Sequence, residues 1–88
     1  METLGVITKD GVFPEDAGAL PGSVGSLCRL HVDVQELTVK AALEGSRALL
    51  IEALSLDPCC AGADFSEIPA MAEDLLNANR LWLDRFYK

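Results

Sequence analysis

Few residues in this sequence are suited to chemistry, and they are widely spaced. His31 is the only histidine and therefore the only side chain that ordinarily titrates near neutral pH. Asp33 and Glu36 are close in sequence, but a residue two positions away lies on a different helix face. Cys28, three positions before the histidine, supplies one soft partner at most. We therefore expect His31 to be a packed or surface residue rather than a general base or a metal ligand.

The three cysteines, Cys28, Cys59 and Cys60, do not indicate a disulfide framework. Their number is odd, and the first residues have neither the basic start nor the apolar segment of a secretory leader, which together favour a reducing compartment. Cys59 and Cys60 could form only a strained ring, and they follow a predicted helix C-terminus, where the helix dipole raises a thiol pKa. We expect small, buried or half-buried thiols.

The common site motifs are absent from the sequence. It contains no GxGxxG, Walker loop, HExxH, CxxC or GxSxG pattern. Its acidic pairs, Asp33 with Glu36 and Glu73 with Asp74, lack the further carboxylate or metal ligands that hydrolysis requires. We predict no catalytic, cofactor-binding or metal-binding residue within this chain.

Composition limits the partners that the chain can have. Its 88 residues, half of them hydrophobic, are enough for one small domain with a modest core. Fourteen acidic residues against seven basic ones give a net charge of -7, which repels nucleic acids and anionic membranes. No apolar run approaches the roughly 20 residues that span a bilayer. We expect a cytoplasmic chain without nucleic-acid or membrane partners.

The first part of the chain, residues 1–19, predicts a short β-hairpin. Apolar β-forming residues stand on both sides of Lys9-Asp10-Gly11, and Asp-Gly is a hairpin turn signal because glycine accepts positive φ. The prolines and glycines between Pro14 and Gly22 then indicate a connecting loop. Two strands alone are marginally stable, so we expect this edge to join a neighbour.

Residues 23–86 predict three amphipathic helices. The first covers about 23–44 and closes at Gly45, and the second covers 47–56, with Ser46 as its N-cap and Asp57-Pro58 after its end. The third begins after Ser66 and runs to about Phe86. The expected fold class is α+β, mostly helical, with a short N-terminal β-hairpin followed by the three helices. Residues 1–88 then form a single small domain or a fragment of one.

The third helix carries the clearest pattern. Apolar residues from Ile68 to Phe86 follow the helical spacing, with charged residues on the other side. Packing in the core is one explanation, in which Trp82 and Phe86 anchor the helix. An interface is the alternative, because aromatic residues dominate binding hot spots. The interface candidates are Met71, Leu75, Trp82 and Phe86.

Several segments resemble a known enzyme family. The segments are VQELTVKAALEG (residues 34–45), ALSLDP (53–58) and MAEDLL (71–76). Together with Glu2-Thr3, Gly11-Val12, Pro14 and Leu20-Pro21 of the opening segment, they are similar to the C-terminal region of the family 4 glycoside hydrolases. That family contains NAD- and manganese-dependent α-galactosidases, 6-phosphoglucosidases and α-glucuronidases. The likeness covers nearly the whole of this chain but only the last part of the family's usual length.

The resemblance implies an enzyme whose chemistry lies elsewhere. In the family, the Rossmann half, the Cys and His that hold the metal and the base that removes the sugar proton all lie upstream, so no catalytic role carries over. We expect a C-terminal fragment or truncated homologue that serves packing and oligomerisation, inactive alone and without a cofactor of its own. Its partner would be a second copy or an N-terminal Rossmann-type chain. The alternatives are a subunit of a split NAD-dependent glycosidase and a free-standing acidic helical adaptor.

Overall fold

The structure, a computed structural model, describes residues 3–88 and consists of a hairpin followed by a helical unit. The elements are β1 (Gly5–Thr8), β2 (Gly11–Pro14), α1 (Gly22–Glu44), α2 (Arg47–Leu56) and α3 (Ile68–Ala78). The 3-10 turn Pro58–Cys60 follows α2, and a second 3-10 turn, Asp84–Tyr87, follows α3. The α+β, mostly helical fold class is confirmed. Met1 and Glu2, the first residues of the predicted hairpin region and of the resemblance, lie outside the described residues.

The two strands pair antiparallel across a two-residue loop. Thr8 pairs with Gly11, and Gly11 has φ 129°, the positive value that the Asp-Gly signal predicted. A backbone hydrogen bond of 2.7 Å from the Glu15 N–H to the Leu4 carbonyl extends the ladder by one pair. The two strands form a sheet of their own.

The corner between α1 and α2 follows its local signals. Gly45 adopts the left-handed conformation (φ 65°, ψ 30°), and its N–H donates to the Ala41 carbonyl. Ser46 then begins α2, because its hydroxyl oxygen accepts from the Leu49 N–H at 3.3 Å. Both ends of α2 and the end of α1 are confirmed.

The predicted third helix is too long, because α3 ends at Ala78 and not near Phe86. At Asn79 the side-chain amide donates to the Leu75 carbonyl at 2.9 Å, in addition to the backbone N–H at 3.1 Å. Asparagine competes in this way with the regular helical ladder. The chain then turns and finishes in the Asp84–Tyr87 3-10 turn.

The start of α3 also differs from the prediction, because Ser66 is not its cap. The residue that precedes the helix is Glu67, whose side chain makes no capping hydrogen bond to α3. The Asp64 carboxylate instead accepts from the Ser66 N–H at 3.2 Å, so the serine belongs to the preceding turn. Pro69 stands in the first turn of α3, as the sequence indicated.

The core is small and lies where α1, α2, α3 and the last turn meet. Of residues 3–88, the hydrophobic side chains that are buried are Ala41, Ala53, Ile68, Ala72, Leu76 and Phe86. Three of these are alanines, so little apolar area leaves water here. The N-terminal two-thirds of α1 lies beyond this core, since Ala41 is the one buried residue of that helix. Within the described part of the chain, no helix combines the length and apolar character needed to cross a membrane.

Candidate functional site

The residues singled out for chemistry do not come together. His31 is exposed on α1. Among residues 3–88, no three His, Cys, Asp or Glu side chains meet in a group that could hold a metal ion. The three cysteines are free thiols: Cys28 and Cys60 are half-buried, but Cys59 is exposed, which corrects the expectation for that residue.

Cys59 has an electrostatic environment that disfavours its reactive form. The Asp57 carboxylate beside it raises the pKa of the Cys59 thiol above its ordinary value, first through its negative charge and then through a side-chain hydrogen bond. The same carboxylate accepts from the Cys59 N–H at 2.9 Å and so caps the 3-10 turn. This arrangement stabilises the turn and disfavours the thiolate, which is the nucleophilic form of cysteine.

The last turn of the chain is fastened to the end of α1 by what we call the C-terminal clamp, formed by Leu43, Gly45, Arg85 and Phe86. The Arg85 guanidinium donates to the Leu43 carbonyl at 2.8 Å, which satisfies a carbonyl that the end of the helix leaves free. Gly45 lies so close to the Arg85 backbone that a Cβ there would be 2.9 Å from the Arg85 carbonyl carbon. Phe86 packs against Ala41 and Leu76 in the core.

A second cluster, which sequence reasoning missed, surrounds Tyr87. The guanidinium carbons of Arg47 and Arg80 lie 4.9 and 4.6 Å from the centroid of its ring, at cation–π distance. Its hydroxyl donates to the Asn77 side-chain oxygen at 2.9 Å. Arg47 lies on α2, far from Tyr87 in the sequence, so no spacing pattern could have indicated the whole cluster.

Arg47 also ties α2 to α3. Its Nε lies 2.9 Å from a Glu73 carboxylate oxygen. The N–H is not aligned for a hydrogen bond, so the contact is a charge pair and Arg47 Nε has no hydrogen-bond partner. Both side chains are partly exposed, so the pair contributes little to stability.

The helical unit contains an apolar groove. It has a volume of about 310 Å³ and is lined by residues of all three helices and the last turn, among them Ala42, Leu50, Leu54, Leu75, Leu83 and Phe86. Thr38 and Asn79 supply its polar edge. Such a lining suits an apolar side chain and offers no group that could act on a substrate.

The hairpin exposes apolar side chains on both of its faces. Val6 pairs with Phe13 and Ile7 with Val12, and successive residues of a strand point to opposite faces, so each face carries one of these pairs. Every residue of both strands is exposed, and Ile7 reaches 82%. A ribbon with two apolar faces is typical of a strand pair that is covered on both sides.

The interface candidates have different positions. Trp82 is 80% exposed and Leu75 is 49% exposed, Met71 is half-buried, and Phe86 lies in the core at the bottom of the groove. Trp82 and Phe86 therefore do not anchor one helix together, because α3 has ended before either of them. Their role in an interface stays a prediction, carried by the exposed members.

Comparison with known proteins gives one consistent result. The Family 4 glycosyl hydrolase C-terminal domain matches residues 1–60. An alpha-galacturonidase of Lachnoclostridium phytofermentans is 30% identical over 97% of this chain and 18% of its own length. An alpha-galactosidase of Bacillus subtilis is 29% identical over 98% of this chain and 20% of its own length.

The chain thus spans about a fifth of the length of these curated relatives. No solved structure matches it.

Proposed function

Because the chain belongs to the Family 4 glycosyl hydrolase C-terminal domain family, we propose that it is a packing and oligomerisation element of a glycosidase and does not catalyse on its own. The proposal assigns catalysis to the parts of such an enzyme that correspond to the other four-fifths of its relatives. The surface of the chain supports this role.

The observation that carries the proposal is the amount of surface left uncovered. The chain exposes 6943 Å², whereas a compact protein of the same mass exposes about 5,000 Å². The excess is roughly twice the 800 Å² or so that each partner contributes to a standard interface. Its radius of gyration of 17.5 Å likewise exceeds the value of about 12 Å for a compact chain of this length. The exposed apolar side chains within this surface are of the kind that association normally covers.

The hairpin and the groove are the parts that such an association would cover first. The hairpin offers two apolar faces and two free edges, and a neighbouring sheet can pair with such an edge through backbone hydrogen bonds. The groove offers an apolar depression between the helices. Both features suit contact with a protein surface, and neither contains a titratable group aimed at a substrate.

The described residues do not fit the cofactors that the family resemblance implies. Manganese prefers oxygen and nitrogen ligands, but residues 3–88 bring together no group of three suitable side chains. The sequence has no glycine-rich dinucleotide-binding fingerprint either. We derive no catalytic step from this chain, and we expect NAD and manganese, where a glycosidase uses them, to be bound by other residues.

An activity assay tests the proposal. The purified 88-residue chain is given NAD, Mn²⁺ and a reductant. It is expected to hydrolyse an aryl glycoside no faster than a buffer blank does. The Bacillus subtilis alpha-galactosidase serves as the positive control in the same buffer. Hydrolysis by the chain alone would overturn the proposal.

A second candidate function is a subunit of a split enzyme, and the free hairpin edges favour it. In that case a separate Rossmann-type chain docks on the exposed surfaces and supplies the cofactor site. The test mixes this chain with the separately produced N-terminal part of a family 4 glycosidase, in the presence of NAD and Mn²⁺. Activity in the mixture, absent from each component, would establish the split enzyme.

A further inference from the structure

We propose that two copies of this chain associate by antiparallel pairing of their α1 helices along Val32, Val39 and Leu43, which we call the outer stripe. The inference rests on the proposed packing and oligomerisation role, and it adds the surface, the partner and the orientation. The occupant of the stripe is a second copy of the same chain.

The outer stripe lies on the side of α1 opposite the buried Ala41, and the connecting loop at Gly18 to Leu20 borders the same side of the helix near Val32. Its residues are spaced seven and four apart, and at 100° per residue they share one side of the helix. Leu37 and Ala41, which are half-buried and buried, lie on the opposite side. Val39 is 58% exposed and Leu43 66% exposed. A helix with apolar residues on two opposite sides requires a partner on each.

A shallow depression follows the stripe. Val32, Gln35, Glu36, Val39, Lys40 and Leu43 line this depression, which has a volume of about 470 Å³. Spacings of four and seven residues are those by which side chains of one helix fit between side chains of a neighbour. Gln35 is the polar residue within the stripe.

The charges beside the stripe specify the orientation. Glu36 and Lys40 lie on the same flank, one turn apart, and among the described residues neither takes part in an ion pair. When two identical helices pair antiparallel about a two-fold axis, the same flank of each copy comes together. Glu36 of each copy then lies beside Lys40 of the other, so two opposite-charge contacts form at once.

Parallel pairing would forgo these contacts. A two-fold axis that runs along the helices places the charged flank of one copy against the opposite flank of the other. At this height the opposite flank carries Gln35 and Ala42, which are uncharged. The two opposite-charge contacts therefore favour the antiparallel arrangement.

The apolar residues fit the same alignment. An axis beside Thr38, midway between Glu36 and Lys40, brings Val32 to within one residue of the height of Leu43 on the second copy. Val39 lies next to the axis and therefore close to Val39 of the second copy. The charges and the apolar stripe therefore select one register.

Charge exchange tests this geometry directly. E36K makes positions 36 and 40 both positive and K40E makes them both negative, so each variant alone replaces two attractions by two repulsions. We expect each single variant to dimerise at least about tenfold more weakly than the original chain in sedimentation equilibrium at 0.1 M salt or so. An equimolar mixture of the two variants restores both attractions and is expected to dimerise as well as the original chain. The double variant E36K/K40E is expected to do the same.

E52K is the matched control, because it makes the same charge change at an exposed position on α2, away from the stripe. Its dimerisation is expected to remain within about twofold of the original, and circular dichroism reports whether each variant keeps its helices. V39Q changes no charge. It is expected to weaken dimerisation because it replaces an apolar side chain of the outer stripe by a polar one.

The outcomes separate the two proposals. If the charge exchange and V39Q leave the strength of dimerisation unchanged, the outer stripe is not the interface. The oligomerisation role would remain intact. A chain that stays monomeric at 1 mM or so, well above the concentrations at which specific dimers form, would overturn both the inference and oligomerisation without touching the assay of activity. Recovery in the mixture of single variants supports the antiparallel pairing.

Discussion

At the scale of single residues, Gly45 has the strictest requirement among the glycines of residues 3–88. A residue with a side chain would adopt the positive φ of Gly45 at a cost of about 1–2 kcal/mol. Its Cβ would also overlap the Arg85 backbone. We expect Gly45→Ala to lower the free energy of unfolding by at least about 2 kcal/mol, as measured by urea denaturation. Gly62→Ala is the control, because nothing lies within 4 Å of a Cβ there. Equal midpoints for the two variants would contradict the clamp geometry.

The second residue-scale prediction concerns Cys59. Asp57→Asn removes the charge that raises the Cys59 pKa while keeping an oxygen that can accept from the Cys59 N–H. The thiolate fraction at a pH below the pKa therefore increases, and we expect iodoacetamide to alkylate Cys59 about threefold faster at pH 8 or so. As the pH rises above both pKa values, the two rates converge. Cys28, on α1, is the internal reference in each digest; a variant with an unchanged Cys59 rate would show that Asp57 does not control this thiol.

At the scale of elements, Phe86 and Trp82 are expected to respond differently to truncation. Phe86 is 8% exposed within the core, so Phe86→Ala should cost about 3 kcal/mol, and Phe86→Leu a smaller amount. Trp82 is 80% exposed, so Trp82→Ala should change the stability of the isolated chain by less than about 0.5 kcal/mol. Thermal unfolding followed by circular dichroism compares the variants. Similar losses for both residues would mean that the last turn packs differently.

The same elements show what the sequence can and cannot reveal. The end of α1 and both ends of α2 were predictable, because Gly45, Ser46 and Pro58 act on the backbone within a few residues. The end of α3 was not, because apolar residues continue at helical spacing to Phe86 and hide the break at Asn79. Periodicity describes which residues face the core, and a 3-10 turn can supply them as well as a helix.

The candidate surfaces also differ in whether local sequence signals predict them. The hairpin with its unpaired edges was readable from Asp10-Gly11 and the flanking apolar residues. The Tyr87 cluster and the C-terminal clamp were not, because each joins residues that are distant in sequence. The resemblance to family 4 glycosidases was confirmed by the comparisons.

At the scale of the whole molecule, the 49 × 32 × 17 Å shape leaves apolar surface in water, and the hairpin contributes a separable part of it. We expect the double variant Ile7→Thr and Val12→Thr to bind less of an apolar fluorescent dye, because threonine keeps the β propensity and removes apolar area. Helical circular dichroism should stay unchanged, since the hairpin forms a sheet apart from the helices. Lys9→Thr, at the tip of the same hairpin, is the control. Unchanged dye binding in the double variant would show that the hairpin is already covered.

The C-terminal clamp also has a kinetic consequence. Most contacts of this fold join residues that are close in sequence and can form quickly, but Arg85 and Leu43 are 42 positions apart. Closing a loop of that length carries an entropic cost, so we expect the clamp to form late and to open early. The peptide bonds after Arg80 and Arg85 lie in the segment that the clamp holds in place, and trypsin should cut there before it cuts α1 or α2. The proteolytic lifetime of the chain is therefore expected to follow how often Arg85 and Phe86 together leave the end of α1.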